Sequence, residues 1–181
     1  MRLNLPATIQ QLTAMKIGDR FELYGEILTA RDAAHQRFVE DIKKGTALPV
    51  SLEGCSIFYT GPCPPRPGMA IGSVGATSSG RMDPYVEVML KAGNKIMIGK
   101  GARAPYIAEL CKKYKAVYLM VYGGAAALYS KNVKSAEVVG YEDLGPEAVH
   151  KLVIEEFKAI VAIDTEGRVL MDECQKEYAI G

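Results

Sequence analysis

A chain of 181 residues, 49% of them hydrophobic, can bury a substantial core, which excludes an intrinsically disordered protein. The formal net charge of +1, without any tract rich in lysine and arginine, argues against nucleic acid or an anionic membrane as the main partner. The sequence has no apolar run long enough to span a bilayer and no signal-peptide pattern, so we expect a cytoplasmic protein.

Charge is unevenly distributed along the chain. Basic residues outnumber acidic ones over residues 1–140, and the reverse holds over residues 141–181. If the fold keeps these two regions apart, the first has the sign expected for binding a small anionic ligand.

The metal-binding residue types are few and scattered. The four cysteines form no C-x-x-C pair, and there are only two histidines, so we expect reduced structural thiols and no metal site within this chain alone. These residues are Cys55, Cys63, Cys111, Cys174, His35 and His150.

The first predicted elements alternate between strand and helix. Residues 20–28 alternate well enough for a strand, and Thr29 is a plausible cap for a helix over residues 31–44 that ends at Gly45. Residues 55–59 have the composition of a short buried strand, and the proline-rich residues 63–68 predict a rigid irregular loop.

The second half of the chain continues this alternation. We predict, in order, a helix over residues 84–91 capped by Asp83, a strand at 96–98, a helix at 105–114, a strand at 116–122, a strand at 137–141, a short helix opened by Gly145-Pro146, and a hairpin formed by 157–164 and 169–171. The sum is a mixed α/β domain.

Residues 72–83, Gly-Ser-Val-Gly-Ala-Thr-Ser-Ser-Gly-Arg-Met-Asp, combine glycines, hydroxyl side chains and one arginine. Glycines allow close backbone approach to a ligand, and consecutive N–H groups with the Arg81 guanidinium suit an anion. The segment is not a P-loop, because Arg81-Met82 stands where Lys-Ser/Thr would be required. Taken alone, the same composition is also typical of an ordinary surface turn.

Two more cations stand in comparable contexts. Arg31 follows a predicted strand at the start of a helix, and Lys100 lies between two glycines. Arg31 is equally consistent with a surface arginine paired to Asp32 or a nearby glutamate, and Lys100 with an exposed turn. If both converge with Arg81, the three cations can hold a dianion by both ends and leave its middle carbons facing Thr77. That geometry suits proton abstraction next to a carboxylate.

His35 is either an acid or base, or a packing residue of its helix with one nitrogen satisfied. No Ser-His-Asp order and no G-x-S-x-G motif is present, which disfavours a hydrolase triad. A self-sufficient serine or cysteine hydrolase would need Ser79 or Cys55 next to His35 in space.

Several ordered segments resemble one known family. They are residues 25–35 (Gly-Glu-Ile-Leu-Thr-Ala-Arg-Asp-Ala-Ala-His), 59–62 (Tyr-Thr-Gly-Pro), 79–83 (Ser-Gly-Arg-Met-Asp), 99–101 (Gly-Lys-Gly), 123–127 (Gly-Gly-Ala-Ala-Ala) and 144–149 (Leu-Gly-Pro-Glu-Ala-Val). Over nearly its whole length the chain resembles the separate β subunit of class I fumarate hydratases, which is equivalent to the C-terminal domain of the single-chain enzymes. It is also similar to the tartrate dehydratase β subunit.

The resemblance implies a swivelling β/β/α fold for a single domain over residues 1–181. It also implies a hydro-lyase subunit, inactive alone, that hydrates fumarate reversibly to malate. L-tartrate dehydration is the alternative activity, and a non-catalytic anion-binding or regulatory module is the alternative of another class. The implied partner is an α subunit carrying a [4Fe–4S] cluster on its own cysteines, in a heteromer such as α2β2 with the active site at the interface.

Residue roles follow from the same resemblance. Thr77 would be the base for the carbon-bound proton, Arg31, Arg81 and Lys100 would bind substrate carboxylates, and this chain would supply no metal ligand. The family loop usually reads Gly-Pro-Thr-Thr-Ser, whereas Ala76 and Ser78 stand here for the proline and the second threonine. Ser78 therefore offers a second hydroxyl at the substrate, and either hydroxyl remains a candidate base.

Overall fold

The computed structural model describes residues 1–178, so the last three residues of the predicted domain lie outside the described range. Its strands are β1 (Arg2–Leu5), β2 (Arg20–Thr29), β3 (Ser56–Phe58), β4 (Ile96–Gly99), β5 (Val117–Met120), β6 (Val133–Gly140) and β7 (Val149–Ile163). Its α-helices are α1 (Ile9–Ala14), α2 (Asp32–Lys44), α3 (Asp83–Lys91), α4 (Tyr106–Tyr114), α5 (Ala126–Tyr129) and α6 (Leu170–Tyr178). Short 3₁₀ segments span Ser79–Met82, Ser130–Asn132 and Glu142–Glu147.

One mixed sheet contains all seven strands, in the order β1-β2-β3-β4-β5-β7-β6. Strands β1 to β5 pair in parallel, and β7 runs antiparallel to β5 and β6. Because the long strand β7 also pairs antiparallel with β2, the sheet closes on itself through β7. The predicted mixed α/β class is confirmed.

The alternation of side chains along the strands produces two cores. Ile96 and Ile98 point into a cluster inside the closed sheet, whereas Met97 between them belongs to a second cluster. That second cluster also includes residues from α2, α3 and α4, such as Phe38 and Met89, so these helices pack on the outer face of the parallel strands.

Helix α2 illustrates how local sequence places its ends. Its buried positions, Ala34, His35, Phe38 and Val39, recur at helical spacing, and Gly45 ends it in the left-handed conformation, as predicted. The predicted cap at Thr29 is wrong. Thr29 closes β2 instead, and its hydroxyl accepts a hydrogen bond from the His150 backbone N–H because β7 lies alongside.

Three other expectations need correction. Asp83 is the first residue of α3 rather than its cap, and its carboxylate bonds to Arg103 and the Ala104 N–H. The predicted C-terminal hairpin reduces to one bridge between Ile163 and Val169, since Leu170 already begins α6. The predicted short helix opened by Gly145-Pro146 is instead the end of the 3₁₀ segment Glu142–Glu147, which is kinked at Gly145. Strand β1, helix α1 and the first half of β7 had no sequence-based prediction.

None of the helices within residues 1–178 is long and apolar enough to cross a membrane.

Candidate functional site

Three segments meet at the carboxyl ends of the parallel strands β2, β3 and β4. Arg31 follows β2, the turn at residues 59–61 follows β3, and Lys100 follows β4. The loop of residues 72–82, which we call the hydroxyl loop, lies on these ends. The carboxyl ends of parallel strands are where both open and closed α/β sheets usually bind ligands.

Hydrogen bonds to its neighbours hold the hydroxyl loop in place. The Thr77 N–H donates to the Tyr59 carbonyl at 2.7 Å, and the Thr60 hydroxyl donates to the Gly75 carbonyl at 2.9 Å. Thr77 is half-buried, whereas Ser78 beside it is exposed. The candidate base therefore sits on an anchored backbone, although Ala76 replaces the proline expected there.

Two arginines from different segments share one carboxylate. The Arg81 Nε lies 2.9 Å from one Asp32 oxygen, and the Arg31 Nε donates to the other at 3.4 Å. The Arg31 and Asp32 side chains are each a little over one quarter exposed, whereas that of Arg81 is 53% exposed, so solvent screens the Arg81–Asp32 pair more than the Arg31–Asp32 pair. The arrangement brings two planar donor groups to one place on the surface.

Glu147 is a second carboxylate at this place. One of its oxygens accepts the Ala33 N–H at 3.1 Å, which satisfies an N–H of the first turn of α2, and the other lies 3.6 Å from the Arg31 Nε. The acid-rich C-terminal region is therefore not kept apart from the basic one, because the 3₁₀ segment bearing Glu147 folds against α2.

Lys100 is tied to the hydroxyl loop through its backbone. Ser78 and Lys100 form a parallel bridge, and the Ser79 N–H donates to the Lys100 carbonyl at 2.9 Å. The Lys100 side chain has no ion pair or hydrogen bond with a residue in the described range 1–178. Its ammonium group therefore has no carboxylate partner within the described residues, and the backbone contacts place Lys100 next to the segment that bears Arg81.

His35 lies beneath the site rather than in it. It is 1% exposed, and its Nδ1 is 3.0 Å from the Arg31 carbonyl, which assigns the Nδ1–H tautomer as donor. Its ring packs edge-on against Tyr59 at 5.2 Å between centroids. Burial lowers the pKa of His35 to about 4. Of the two roles left open above, the packing role agrees with this environment.

Neither the thiols of Cys55 and Cys111 nor the Ser79 hydroxyl forms a hydrolase site. Burial raises the pKa of both Cys55 and Cys111 to about 12, and thiols of that acidity are poor nucleophiles at neutral pH. The Ser79 hydroxyl accepts from the Tyr118 hydroxyl rather than from His35. Within residues 1–178, no group of three or more Cys, His, Asp or Glu residues could hold a metal ion.

Sequence reasoning missed two features of this site. Glu147 carried no local signal for its role, since it reaches α2 only through the tertiary fold. The buried pair of Asp83 and Arg103 was also missed, because Arg103 stands in a loop without a recognisable motif.

Comparison with known proteins shows the family of this chain. A family model for the fumarase C-terminus matches residues 1–174. The chain belongs to the fumarase C-terminal family. The aerobic class I fumarate hydratase of Salmonella typhimurium is 36% identical over 177 residues, and mitochondrial fumarate hydratase 1 of Leishmania major is 34% identical over 171.

Coverage differs between relatives of this fumarase C-terminal chain. It aligns over 96% and 93% of its own length with those two fumarate hydratases but spans only 30% and 31% of theirs. The L(+)-tartrate dehydratase subunit beta of Escherichia coli is 35% identical over 182 residues, which are 98% of this chain and 89% of that subunit. The predicted family resemblance is confirmed.

Proposed function

We propose that this chain is the β-type subunit of a hydro-lyase that adds water reversibly to fumarate, giving malate. The observation that carries the proposal is the convergence of Arg31 and Arg81 on a single carboxylate, that of Asp32. Two guanidinium groups that already accommodate one carboxylate at this spacing suit a substrate carboxylate placed beside it. The names of the relatives agree with this chemistry.

In this proposal Lys100 binds the second carboxylate of the substrate. The backbone bridge between Ser78 and Lys100 holds the Lys100 segment next to the hydroxyl loop, which bears Arg81. In the dehydration direction, malate held at both ends presents its middle carbons to Thr77, which takes the carbon-bound proton while the hydroxyl of the neighbouring carbon leaves; hydration of fumarate is the reverse of this step. Negative charge grows on the adjoining carboxylate as that proton leaves, so fixed cations stabilise the transition state more than the ground state.

The same cations make Thr77 a better base. A threonine hydroxyl is a weak base, and nearby positive charge favours its ionised form. Ser78 offers the second hydroxyl, either to bind the substrate or to act in place of Thr77. Thr77 is favoured, since its N–H is fixed to the Tyr59 carbonyl and its side chain is half-buried.

A partner completes the site in this proposal. The described cysteines of this chain do not fit an iron–sulfur cluster, so a [4Fe–4S] cluster would be held by an α subunit, where its open iron would supply Lewis acidity toward the substrate hydroxyl. The assembly would be a cytoplasmic heteromer, for example α2β2, and the isolated chain would be inactive. Residues 1–181 would form one swivelling β/β/α domain.

Tartrate dehydration is the second candidate, because the L(+)-tartrate dehydratase subunit beta of E. coli is 35% identical to this chain. The β subunit of the E. coli tartrate dehydratase is covered over 89% of its length, whereas the fumarate hydratases are covered over less than one third. Carboxylate anchors alone do not separate the two substrates, because malate and tartrate both carry a carboxylate at each end.

The decisive experiment co-expresses the chain with its iron–sulfur α partner without oxygen and measures fumarate hydration and dehydration of each tartrate isomer. We expect hydration of fumarate by the complex and no turnover by either subunit alone. Robust turnover by the isolated chain would overturn the proposal, and turnover of a tartrate isomer alone would select the second candidate. If Thr77→Ala left turnover intact, the non-catalytic module would be favoured instead.

A further inference from the structure

Asp83 and Arg103 form a buried ion pair two residues after Arg81 and three residues after Lys100 along the chain. The Arg103 side chain is 1% exposed and that of Asp83 7%, and the Arg103 Nε lies 2.6 Å from one Asp83 oxygen. The other oxygen accepts the Ala104 backbone N–H at 2.7 Å. Asp83 therefore fastens the loop after β4 to the start of α3.

A second set of hydrogen bonds joins the same two segments. The Ser79 hydroxyl accepts from the Lys100 N–H at 3.0 Å and from the Tyr118 hydroxyl at 2.9 Å. Gly99 makes this approach possible, because a Cβ at that position would overlap the Ser79 hydroxyl. Ser79 precedes Arg81 by two residues, and Asp83 follows it by two, so the contacts lie on both sides of Arg81 on one segment and include the Lys100 backbone on the other.

Arg103 also touches the residue that anchors the candidate base. Its guanidinium carbon lies 5.4 Å from the Tyr59 ring centroid and 4.8 Å from that of Tyr118. Tyr59 is the residue whose carbonyl accepts the Thr77 N–H. The buried Arg103 guanidinium thus contacts residues that hold both the hydroxyl loop and the loop after β4 in place.

We propose that Asp83 and Arg103, together with Ser79, are positioning residues that hold Arg81 and Lys100 at a fixed separation for a dicarboxylate. The proposal rests on the function proposed above. We call the three residues the loop clamp. Burying two charges is expensive, and an apolar pair of similar volume would often give equal or greater stability. A buried ion pair with directional hydrogen bonds instead fixes the relative position of the two segments that it joins.

Geometry matters here because the two anchors lie on separate loops. A displacement of about 1 Å in a positioned group can cost about 100-fold in rate. A dicarboxylate has a set distance between its ends, so loss of the loop clamp should weaken substrate binding in addition to any loss of stability from leaving a buried charge unpaired.

Two variants and a matched control test the clamp. Asp83→Asn removes the charge partner of Arg103, and Ser79→Ala removes the acceptor of the Lys100 N–H while keeping a small buried side chain. Asp164→Asn is the control. Asp164 is likewise buried and paired with an arginine, the half-exposed Arg168, but its side-chain bonds all remain within residues 164–168.

Two measurements are made on each variant. Amide hydrogen exchange on the full chain reports whether the clamp exists. In the wild type we expect the Lys100 and Ala104 amides to be protected from exchange. The Lys100 amide should exchange about tenfold faster in Ser79→Ala, and the Ala104 amide about tenfold faster in Asp83→Asn. In the complex with the α partner, we expect both variants to raise KM for the dicarboxylate and to lower kcat/KM by about 10- to 100-fold. Asp164→Asn should lower Tm and leave KM within about twofold.

The outcomes separate the two proposals. The clamp proposal would be wrong if the Lys100 and Ala104 amides of the wild type exchanged as fast as those of Gly123 and Gly124. It would also be wrong if the clamp variants had the same KM as Asp164→Asn. If Asp83→Asn does not fold, Ser79→Ala decides alone. If the wild-type complex turns over neither fumarate nor tartrate, the proposed function fails, while the exchange rates still decide whether the loops are clamped.

Discussion

The Arg81 guanidinium and the Asp32 carboxylate form an ion pair at 2.9 Å, although one belongs to the hydroxyl loop and the other to α2. Because Arg31 shares the same carboxylate, Asp32 orients two guanidinium groups at once. The pair links the start of a helix to a loop that reaches the site from another strand. The anchoring groups are therefore aligned by the protein itself, which lowers the entropic cost of binding a ligand.

The first prediction separates the two hydroxyls of the loop. Thr77→Val keeps the shape of the side chain and removes the hydroxyl, so kcat of the assembled enzyme should fall by at least about 100-fold with little change in KM. Steady-state kinetics of fumarate hydration measure both constants.

Ser78→Ala is the companion variant. It should cause a much smaller loss of kcat, since Ser78 is exposed and its neighbour carries the proposed role. A larger loss at Ser78 than at Thr77 would assign the base to Ser78.

The second prediction concerns Arg31. Arg31→Lys keeps the charge but loses the planar pair of donors, so KM for the dicarboxylate should rise by about tenfold or more. Arg37→Lys is the control, because Arg37 lies on α2, the helix that directly follows Arg31 in the chain, and pairs at 2.9 Å with Asp143 rather than with Asp32 or Glu147. Equal KM values for the two variants would remove Arg31 from the binding site.

The third prediction tests the contact that seats Arg31. A Cβ on Gly61 would lie 2.9 Å from the Pro146 carbonyl oxygen and 3.1 Å from the Arg31 Cδ, so Gly61→Ala should displace Arg31 or the 3₁₀ segment. We expect kcat/KM to fall by about tenfold or more, as for other small displacements of positioned groups. A crystal structure of the variant would locate the shift.

Gly123→Ala is the comparison for Gly61, since a Cβ at Gly123 meets nothing within 4 Å. Its Tm should stay close to that of the wild type. An unmoved Arg31 in the Gly61→Ala structure, together with unchanged kinetics, would show that the close approach has no functional role.

The fourth prediction is a pH dependence of stability that originates at His35. Burial holds its pKa at about 4, below the ordinary value of about 6.5, so the unfolded chain binds more protons than the folded one between these values. The neutral imidazole therefore makes its full contribution to the free energy of unfolding above pH 6.5, and this contribution is lost as the pH falls toward 4. Between pH 7.5 and 5 this group should lower the free energy of unfolding by about 2 kcal/mol.

Urea denaturation at the two pH values measures that change. His35→Gln cannot titrate, so the difference between pH 7.5 and 5 should shrink by about the same 2 kcal/mol in this variant. An unchanged difference would mean that other groups carry the pH dependence.

Elements with strong local signals could be predicted from the sequence. The strand ending at Thr29, the helix stopped by Gly45 and the proline-opened helix ending at Tyr114 all lie within a residue or two of their predicted bounds. Asp83 shows where local reasoning stops. A serine, threonine or aspartate before a helix usually caps it, but here the carboxylate turns to Arg103, a contact 20 residues along the chain.

The candidate site likewise has features that the sequence predicts and features that only the tertiary structure decides. The composition of the hydroxyl loop, its arginine and the motifs that follow each strand are properties of the sequence, and they were sufficient to predict the family. Tertiary structure alone decided that Arg31 and Arg81 meet at Asp32, that Glu147 returns to the start of α2, and that Ser79 enters the space left open by Gly99. Short-range patterns set backbone conformation, but which side chains meet depends on the closure of the sheet through β7, a long-range pairing that no local pattern encodes.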